Sequence, residues 1–348
     1  MIDISDPSNP QAAGTVMLEG EPTAVSVSGN KVLVALNTSE SFTEPSGQLQ
    51  VIDMVSKAVE TTCNLGGQPD STAVSPDGSI LAVAIENERD EDLNDGVIPQ
   101  LPAGSVAIFS LENGVPDCGS LVMADVTGLA EIAGDDPEPE FIDINENNEI
   151  AVTLQENNHI VILASDGSVV SDFSAGTVDL RNVDTEEEGA LTFDGTLSAV
   201  PREPDAVQWL DSERIVIANE GDYEGGSRGF TIFNKSGEEL YESGLSFEYE
   251  VAKAGHYPEE RSGNKGVEPE GMEVKPFGED TYIFLLAERG SVIGVYKDTG
   301  AEPEFVQLLP TALGPEGAIA LPEHNLLAVS NEVDLGEDGG VRSHVTLY

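Results

Sequence analysis

One repeated unit constrains the fold of this 348-residue chain more than any other feature. The unit opens with proline and a small or acidic residue, continues as an apolar strand, turns, and returns as a second strand ending in Asn or Glu. Six copies begin at Pro22-Thr23, Pro69-Asp70, Pro139-Glu140, Pro204-Asp205, Pro269-Glu270 and Pro315-Glu316. Because a single unit cannot bury both of its faces, the repeat predicts sheets stacked around a common axis.

The remaining segments predict an all-β chain. Strand-like runs alternate with Gly, Pro, Asn and Asp turns, and no long stretch has helical periodicity. A third strand such as "GSVAIFSL" follows each pair, and a more polar fourth strand completes a four-stranded blade. We therefore expect one β-propeller domain over residues 1–348, with six visible blades and insertions near 89–103, 177–202 and 245–266. Seven blades remain the alternative if residues 177–200 hide a degenerate blade.

The two ends of the chain are expected to meet. The last repeat has three strands ending in "SHVTLY", and the N-terminal "AAGTVMLEG" lacks a first half. An N-terminal strand that completes the last sheet would close the ring and remove an open edge. The chain starts directly on a strand-like stretch, so we expect any signal peptide to lie outside this sequence, and export cannot be read from it directly.

Cys63 and Cys118 are too few for a disulfide scaffold and lack metal-ligand spacing. They occupy comparable places in adjacent repeats, so one bridge between neighbouring outer strands would form in an oxidising compartment. The sequence alone leaves the paired and the free states open.

The charge balance excludes several classes of partner. The chain has 65 Asp plus Glu against 15 Lys plus Arg, which gives a formal net charge of -50. A polyanion is a poor ligand for nucleic acid or for anionic membranes, and no apolar run of about 18 residues could span a bilayer. Carboxylates spread along the whole chain favour a halophilic or marine adaptation over a specific acidic function.

Acidic residues nonetheless recur at two fixed positions of the repeat. First strands line the channel of a propeller, so acids that open the repeats should meet acids that end the second strands, which include Glu86 and Glu156, at one channel mouth. We predict a metal site there, formed by Asp70, Glu140, Asp205, Glu220, Glu270, Glu288, Glu316 and Glu332. Such oxygen ligands suit Ca²⁺, with Mg²⁺ or Mn²⁺ as alternatives. The plainer interpretation is that these acids only mark turns in an acid-rich chain.

A cluster of cations interrupts the acidic background. The segment "AKAGHYPEERSGNKGVEPEGM" carries Lys253, His256, Arg261 and Lys265 just before Glu268 and Glu270. Arg and Lys beside a metal-loaded carboxylate ring would suit a phosphate ester. We therefore assign catalytic roles to Glu270, His256, Arg261 and Lys265, and substrate binding to Arg261, Lys265 and Arg289. The alternative is that these cations only pair with neighbouring acids.

Two further motifs are weaker. Asp184, Glu186 and Glu188 occupy the first, third and fifth places of a Ca²⁺ loop, but Gly195 stands where a closing Glu is needed. They are a candidate structural Ca²⁺ site. The "GGSRG" segment contains Ser227 in a nucleophile pattern, yet it links two strands of one blade, so we interpret it as a hairpin loop.

Several segments together resemble one protein family: "MIDISDPSNP", "GGQPDSTAVSPDG", "PEPEFIDI", "EPDAVQWL", "RSGNKGVEPEGMEV", "LAERG" and "GPEGAIAL". The chain is similar to the choice-of-anchor I family of secreted, alkaline-phosphatase-like β-propellers and to related LVIVD-repeat proteins. The resemblance implies an exported propeller, commonly with seven blades, and a divalent metal. A looser similarity, through "EPEGM", links the chain to propellers described as having esterase-like activity of phytase.

The sequence thus supports three hypotheses about function. The first is an extracellular or periplasmic, Ca²⁺-dependent hydrolase that acts on a small phosphoric ester at the channel mouth. The second is a noncatalytic surface or adhesion module that binds a cell-surface or matrix protein or a glycan. The third is a carboxylesterase or lactonase that uses the same metal ring.

Overall fold

A computed structural model of the protein describes residues 1–348 and has six sheets arranged as the blades of a β-propeller. The N-terminal hairpin pairs β1 (Ile2–Asp3) with β2 (Gln11–Ala12). Blade 1 consists of β3 (Glu21–Ser28), β4 (Lys31–Asn37), β5 (Gly47–Asp53) and β6 (Val59–Asn64). Blade 2 consists of β7 (Pro69–Val74), β8 (Ile80–Ile85), β9 (Ser105–Glu112) and two short strands against β9, which are β10 (Val115–Pro116) and β11 (Val122–Ala124). Blade 3 consists of β12 (Pro139–Ile144), β13 (Ile150–Leu154), β14 (His159–Leu163) and β15 (Val169–Ser174).

A two-stranded hairpin, β16 (Thr177–Val183) and β17 (Gly195–Pro201), follows blade 3. Blade 4 consists of β18 (Val207–Trp209), β19 (Arg214–Ala218), β20 (Phe230–Asn234) and β21 (Glu239–Glu242), and the helix α1 (Ser246–Ala254) comes after it. Blade 5 consists of β22 (Pro269–Phe277), β23 (Asp280–Ala287), β24 (Val292–Lys297) and β25 (Glu304–Pro310). Blade 6 has three strands, β26 (Pro315–Leu321), β27 (Leu326–Asn331) and β28 (His344–Leu347). No helix has the length and apolarity to cross a bilayer.

The core lies between successive blades rather than in one central mass. Leu33 of blade 1 packs with Leu81 and Phe109 of blade 2 in a single buried cluster. Between blades 4 and 5, Phe230 and Met272 share a cluster with Phe247, which α1 inserts from the side. Strands with apolar residues on both faces can be buried only by such stacking, which explains why the repeat folds as a propeller.

The predicted six-bladed propeller is confirmed. Residues 177–200, the candidate for a hidden seventh blade, form only the β16–β17 hairpin. This hairpin lies against α1 through a small cluster in which Val178 and Leu180 contact Leu245. It therefore covers one side of the ring and is not a blade of its own.

The structure corrects the predicted pairing of the two chain ends. Strand β1 does not extend the sheet of blade 6, because it pairs with β2 across a tight turn in which the Asn9 amide donates to the Asp6 carbonyl. A local hairpin costs less chain entropy than a pairing with the far end of the sequence. Val16 and Leu18 pack on the side of blade 1. Strands β26 and β3 do not pack against each other as the other neighbouring inner strands do. Val25 of β3 and Ile319 of β26 are accordingly more than half exposed.

Cys63 and Cys118 form a disulfide, with their Cα atoms 5.4 Å apart. The bond joins the end of β6 in blade 1 to the turn after β10 in blade 2. It therefore ties the outer strands of two adjacent blades together, as the spacing of the cysteines allowed.

We predict that replacing both cysteines (Cys63→Ala with Cys118→Ala) lowers the free energy of unfolding by about 2–4 kcal/mol, because the unfolded chain is no longer constrained by the bridge. Urea unfolding followed by circular dichroism measures this change. As a control, dithiothreitol should lower the midpoint of the natural chain and leave that of the double variant unchanged. Equal midpoints for the two proteins would show that the bridge adds no stability.

Candidate functional site

The inner strands present their acidic residues through a shared backbone irregularity. In five blades the pairing register of the first strand shifts just after the repeat proline: at Pro22, Pro69, Pro139, Pro269 and Pro315. A bulge of this kind re-aims a side chain at the rim of a sheet. It places the acid that follows the proline at the start of the inner strand.

The inner strands approach one another closely at this end of the channel. A Cβ on Gly271 would lie 1.8 Å from the carbonyl oxygen of Glu316, so only glycine permits blades 5 and 6 to pack here. On the opposite side, the Ser71 hydroxyl donates to the Glu140 carbonyl at 2.7 Å. Small residues next to the acids thus let the acids of adjacent blades converge.

The acids on the inner strands share one crowded environment. Burial, together with the neighbouring carboxylates of Glu316 and Glu88, raises the pKa of Asp70 to about 7. Burial and the charges around it, Glu220 foremost, raise the pKa of Glu270 to about 11. The pKa values of Glu140 and Asp205 are also raised, by burial first and then by other members of the ring.

The second strands add acids from the same end of the blades. Burial raises the pKa of Glu220 to about 7, against the opposing effect of Lys265, and burial likewise raises that of Glu288 to about 7. Glu86 and Glu156 are buried at the equivalent places of blades 2 and 3, and burial with neighbouring carboxylates raises the pKa of each. Carboxylates in this setting ionise only if cations or hydrogen-bond donors offset their repulsion.

Three of the predicted metal ligands come close enough to share one ion. Glu220, Glu270 and Glu288 each offer a carboxylate oxygen, and these oxygens lie within 4.8 Å of one another. No other group of three or more acidic, His or Cys side chains in the chain meets this condition. Oε2 of Glu270 is buried and has no hydrogen-bond partner. The other five predicted ligands, Asp70, Glu140, Asp205, Glu316 and Glu332, lie around the mouth outside this cluster because the ring is wider than one coordination sphere.

The predicted cations surround one buried acid beside this cluster. Glu268 is 1% exposed, and its carboxylate lies 2.6 Å from Arg261 Nε, 3.3 Å from Arg289 Nε and 3.9 Å from Lys265 Nζ. Lys265 also lies 3.7 Å from Glu220, and Arg289 lies 2.9 Å from Glu288. The cations therefore lie at the edge of the three-glutamate cluster. Each of them also forms an ion pair with an acid, which is what the alternative interpretation of this segment predicts.

Arg228 holds the loop that carries Arg261 and Lys265. Its fully buried guanidinium donates to the carbonyls of Ser262 at 2.8 Å and Asn264 at 3.0 Å. It also lies 3.4 Å from Glu248 of α1. Because α1 is itself packed between blades 4 and 5, this network fixes the cationic loop to the rigid part of the fold.

The candidate Ca²⁺ loop is not assembled, which corrects that prediction. Asp184 is fully buried, and its carboxylate accepts a hydrogen bond from the Ser262 hydroxyl at 2.9 Å. Glu186 and Glu188 are exposed and do not converge on Asp184. Asp184 instead anchors the cationic loop through Ser262.

Two other sequence candidates have clear positions. His256 is half-buried, and its Nδ1 donates to the Gly290 carbonyl at 3.1 Å, next to Arg289 on the rim. Its hydrogen bond goes to backbone and not to any acid of the mouth. Ser227 is fully buried between the antiparallel strands β19 and β20, which agrees with its interpretation as part of a hairpin loop.

The sequence analysis named Glu268 but missed that it belongs to a second layer of acids. Glu138, Glu203 and Glu268 each precede a repeat proline and are about 1% exposed. The carboxylate of Glu203 accepts three backbone amides, from Asp222, Tyr223 and Glu224, each at 2.8 Å. The signal was present in the sequence as a glutamate before the repeat proline in three consecutive repeats.

Arg89 is the other residue that the sequence analysis missed. It leaves the end of β8 and reaches over the mouth, where it pairs with Glu156 of blade 3 at 2.5 Å and with Asp222 of blade 4. Burial alone would raise the pKa of Asp222, but its hydrogen bond and charge contact with Arg89 lower it. A cavity of about 170 Å³ beside Arg89 is lined only by polar side chains, and Arg89 is its only cation.

The fold and the site define a class: a six-bladed propeller whose channel mouth is lined by buried carboxylates. The chain belongs to the choice-of-anchor I domain family, whose model matches residues 1–130 and 223–301, more than half of the sequence. This confirms the resemblance read from the sequence. No curated protein matches the chain.

Solved structures share the fold at low sequence identity. A protein from Lactobacillus plantarum aligns with 98% of this chain and 84% of its own, at 12% identity and a TM-score of 0.59. The periplasmic gluconolactonase of Pseudomonas aeruginosa aligns over 93% and 82%, at 12% identity and a TM-score of 0.57. Virginiamycin B lyase from Staphylococcus aureus, crystallised with quinupristin, aligns over 96% and 86%, at 13% identity and a TM-score of 0.56. Identities this low show a common fold.

We predict that the metal-free protein loses stability as the pH rises from about 5 to about 8. Glu220 and Glu288 have folded-state pKa values of about 7, whereas the unfolded chain releases these protons near pH 4.3. In this window the folded state binds more protons than the unfolded state, so the free energy of unfolding falls with rising pH. Thermal unfolding in EDTA at high salt measures the slope.

The double change Glu220→Gln with Glu288→Gln should reduce this slope by the share of these two groups, while Asp70, Glu270 and the other buried acids of the mouth continue to contribute. Glu323→Gln, an exposed position at the far end of blade 6, should leave it unchanged. If the double variant keeps the full slope of the natural chain, Glu220 and Glu288 do not titrate as their burial requires.

Proposed function

We propose that the protein is a secreted or cell-surface hydrolase that cleaves phosphoric esters at its channel mouth with a divalent cation, Ca²⁺ first of all. Membership in the choice-of-anchor I family supports a surface or secreted location. The Cys63–Cys118 bridge is in keeping with an oxidising compartment. The observation that carries the proposal is the cluster of Glu220, Glu270 and Glu288.

The chemistry of this cluster fits a hard divalent cation. Ca²⁺ takes carboxylate oxygens at about 2.3–2.6 Å, so oxygens within 4.8 Å of one another can surround one ion. Glu270 has a buried oxygen without a partner. Without a cation, burial and repulsion keep its pKa near 11, and it is protonated at neutral pH. Mg²⁺ or Mn²⁺ would also accept these ligands, but Mg²⁺ demands a stricter geometry.

The cations beside the cluster support an anionic substrate. Arg289 is 45% exposed while Arg261 is 28% exposed and Lys265 15%. All three reach Glu268, and two of them also touch the three-glutamate cluster. An arginine fork can contact two phosphate oxygens at once. Arg289 is the most accessible of the three, with Arg261 and Lys265 behind it, and together they would orient the phosphoryl group over the cluster.

The proposed chemistry divides between the ion and the chain. A bound divalent ion would lower the pKa of a water molecule and offset charge on the leaving oxygen. Glu220, Glu270 and Glu288 would hold that ion in place. The Nδ1 of His256 is engaged by the Gly290 carbonyl, so its Nε2 is the nitrogen that remains to hold or donate a proton at the rim.

A lactonase or carboxylesterase is the second candidate. It is favoured by the shared fold with a gluconolactonase at a TM-score of 0.57 and by the same cluster of oxygen ligands, which could act on a carboxylic ester as well as on a phosphate. If the protein hydrolyses neither phosphoric nor carboxylic esters, the noncatalytic surface module becomes the favoured function.

We predict Ca²⁺-dependent hydrolysis of p-nitrophenyl phosphate that exceeds hydrolysis of p-nitrophenyl acetate or of gluconolactone, and that EDTA abolishes. Glu270→Gln removes a negative ligand and should lower kcat/KM by more than about tenfold, and Arg261→Ala should do the same through loss of phosphate binding. Release of nitrophenol, and a pH indicator for the lactone, measure the three reactions.

Matched controls lie away from the mouth. Glu323→Gln should keep full activity, and so should Lys253→Ala on the exposed face of α1. Activity on the lactone or the acetate alone would replace the phosphatase proposal by the second candidate. Ca²⁺ binding without any hydrolysis would favour the noncatalytic module, and an unchanged rate in Glu270→Gln would refute the assigned site.

A further inference from the structure

The two halves of the channel mouth are neutralised in different ways. On the side of blades 4 and 5, Glu220, Glu270 and Glu288 converge, and no cation of the chain forms an ion pair with Glu270, although Lys265 and Arg289 pair with the other two. On the side of blades 2, 3 and 4, one buried guanidinium stands among the acids. Arg89 is 5% exposed, lies 2.5 Å from Glu156 and 3.7 Å from Glu138, and also pairs with Asp222.

Arg89 leaves several buried atoms around it unsatisfied. Both carboxylate oxygens of Glu138 lack a hydrogen-bond partner although this residue is 1% exposed. The same is true of Oε2 of Glu156, which is 2% exposed, and of Nε of Arg89 itself. The equivalent acids Glu203 and Glu268 are well satisfied, by backbone amides and by cations respectively. The acids around Arg89 are therefore the least completely paired of this layer.

We propose that Arg89 is a built-in cation that occupies a second cation position of the mouth, formed by Glu138 and Glu156, and so limits the natural protein to one divalent ion. A guanidinium cannot lose its proton in a protein and cannot diffuse away, so it fills this position permanently. Its planar fork donates to two acids from different blades, Glu156 and Asp222. Without Arg89, these two carboxylates could bind a metal ion instead.

The guanidinium also decides where an ion binds. A divalent cation near Arg89 would meet a fixed positive charge only a few ångströms away, which opposes its binding. In the cluster of Glu220, Glu270 and Glu288 the cations of the chain stand only at the edge, where Lys265 lies 3.7 Å from Glu220 and Arg289 lies 2.9 Å from Glu288, and no cation pairs with Glu270. Removal of the Arg89 charge should therefore open a second site and leave the first unaltered. This inference rests on the cation site of the proposed function. Its test compares the number of ions bound by the natural protein with the number bound by Arg89 variants, so it can fail separately from that proposal.

The test counts bound Ca²⁺ in the full chain and in variants by isothermal titration with CaCl₂ and by equilibrium dialysis. Arg89→Met should bind one more ion than the natural protein, and Arg89→Gln, which retains hydrogen-bond donors, should do the same. Arg89→Lys keeps the charge and should bind the natural number. In the Arg89→Met background, Glu156→Gln should remove the additional ion, whereas Glu270→Gln should leave it and remove the other.

Each outcome decides the inference. If Arg89→Met and Arg89→Gln fold and bind no additional ion, the inference is overturned. It is overturned as well if neither variant folds in millimolar CaCl₂, because Ca²⁺ then does not replace the guanidinium. An additional ion that survives Glu156→Gln would also contradict it. If the natural protein binds no ion and Arg89→Met binds one, the cation site of the proposed function fails while the role of Arg89 stands.

Discussion

The structure depends on the cost of placing many carboxylates in one small, poorly solvated volume. A propeller brings the first residue of every inner strand to the same opening, so acids separated by tens of residues in sequence become neighbours. Each must then be protonated, hydrogen-bonded or paired with a cation. The mouth uses all three solutions: Glu203 accepts backbone amides, Glu268 is surrounded by cations, and Glu270 has only a proton or an ion available to it.

The rest of the fold holds these acids in place against their repulsion. The apolar clusters between blades fix the inner strands, and the bulges after the repeat prolines set the direction of the acids. Arg228 ties the cationic loop to α1, and α1 is wedged between blades 4 and 5 through Phe247. Because this network is buried, the charges of Arg261 and Lys265 stand in fixed positions beside the acids, as preorganised electrostatics requires.

The sequence predicted most of the features that repeat and missed several contacts that occur once. The blades and the acids of the mouth, such as Glu220 and Glu270, follow from a period that recurs six times. Arg89 reaches across from blade 2 to blade 4, and no local pattern could show that. Asp184 matched a loop motif, but burial against Ser262 gave it a different role. The pairing of β1 with β2 was missed because a local turn competed with a long-range contact.

The contrast between a fixed and an exchangeable cation gives the mouth its asymmetry. The charge of Arg89 is present at every pH at which the protein folds, so its half of the mouth always contains one fixed positive charge. The half that contains Glu220, Glu270 and Glu288 changes its charge with protons and ions, because Lys265 and Arg289 pair with Glu220 and Glu288 but no cation of the chain pairs with Glu270. A bound ion would add positive charge to the second half, where Lys265 and Arg289 already stand at the edge, and would strengthen its attraction for an anionic ligand. Control of binding by the ion then follows from the arrangement of charges, without any movement of the blades.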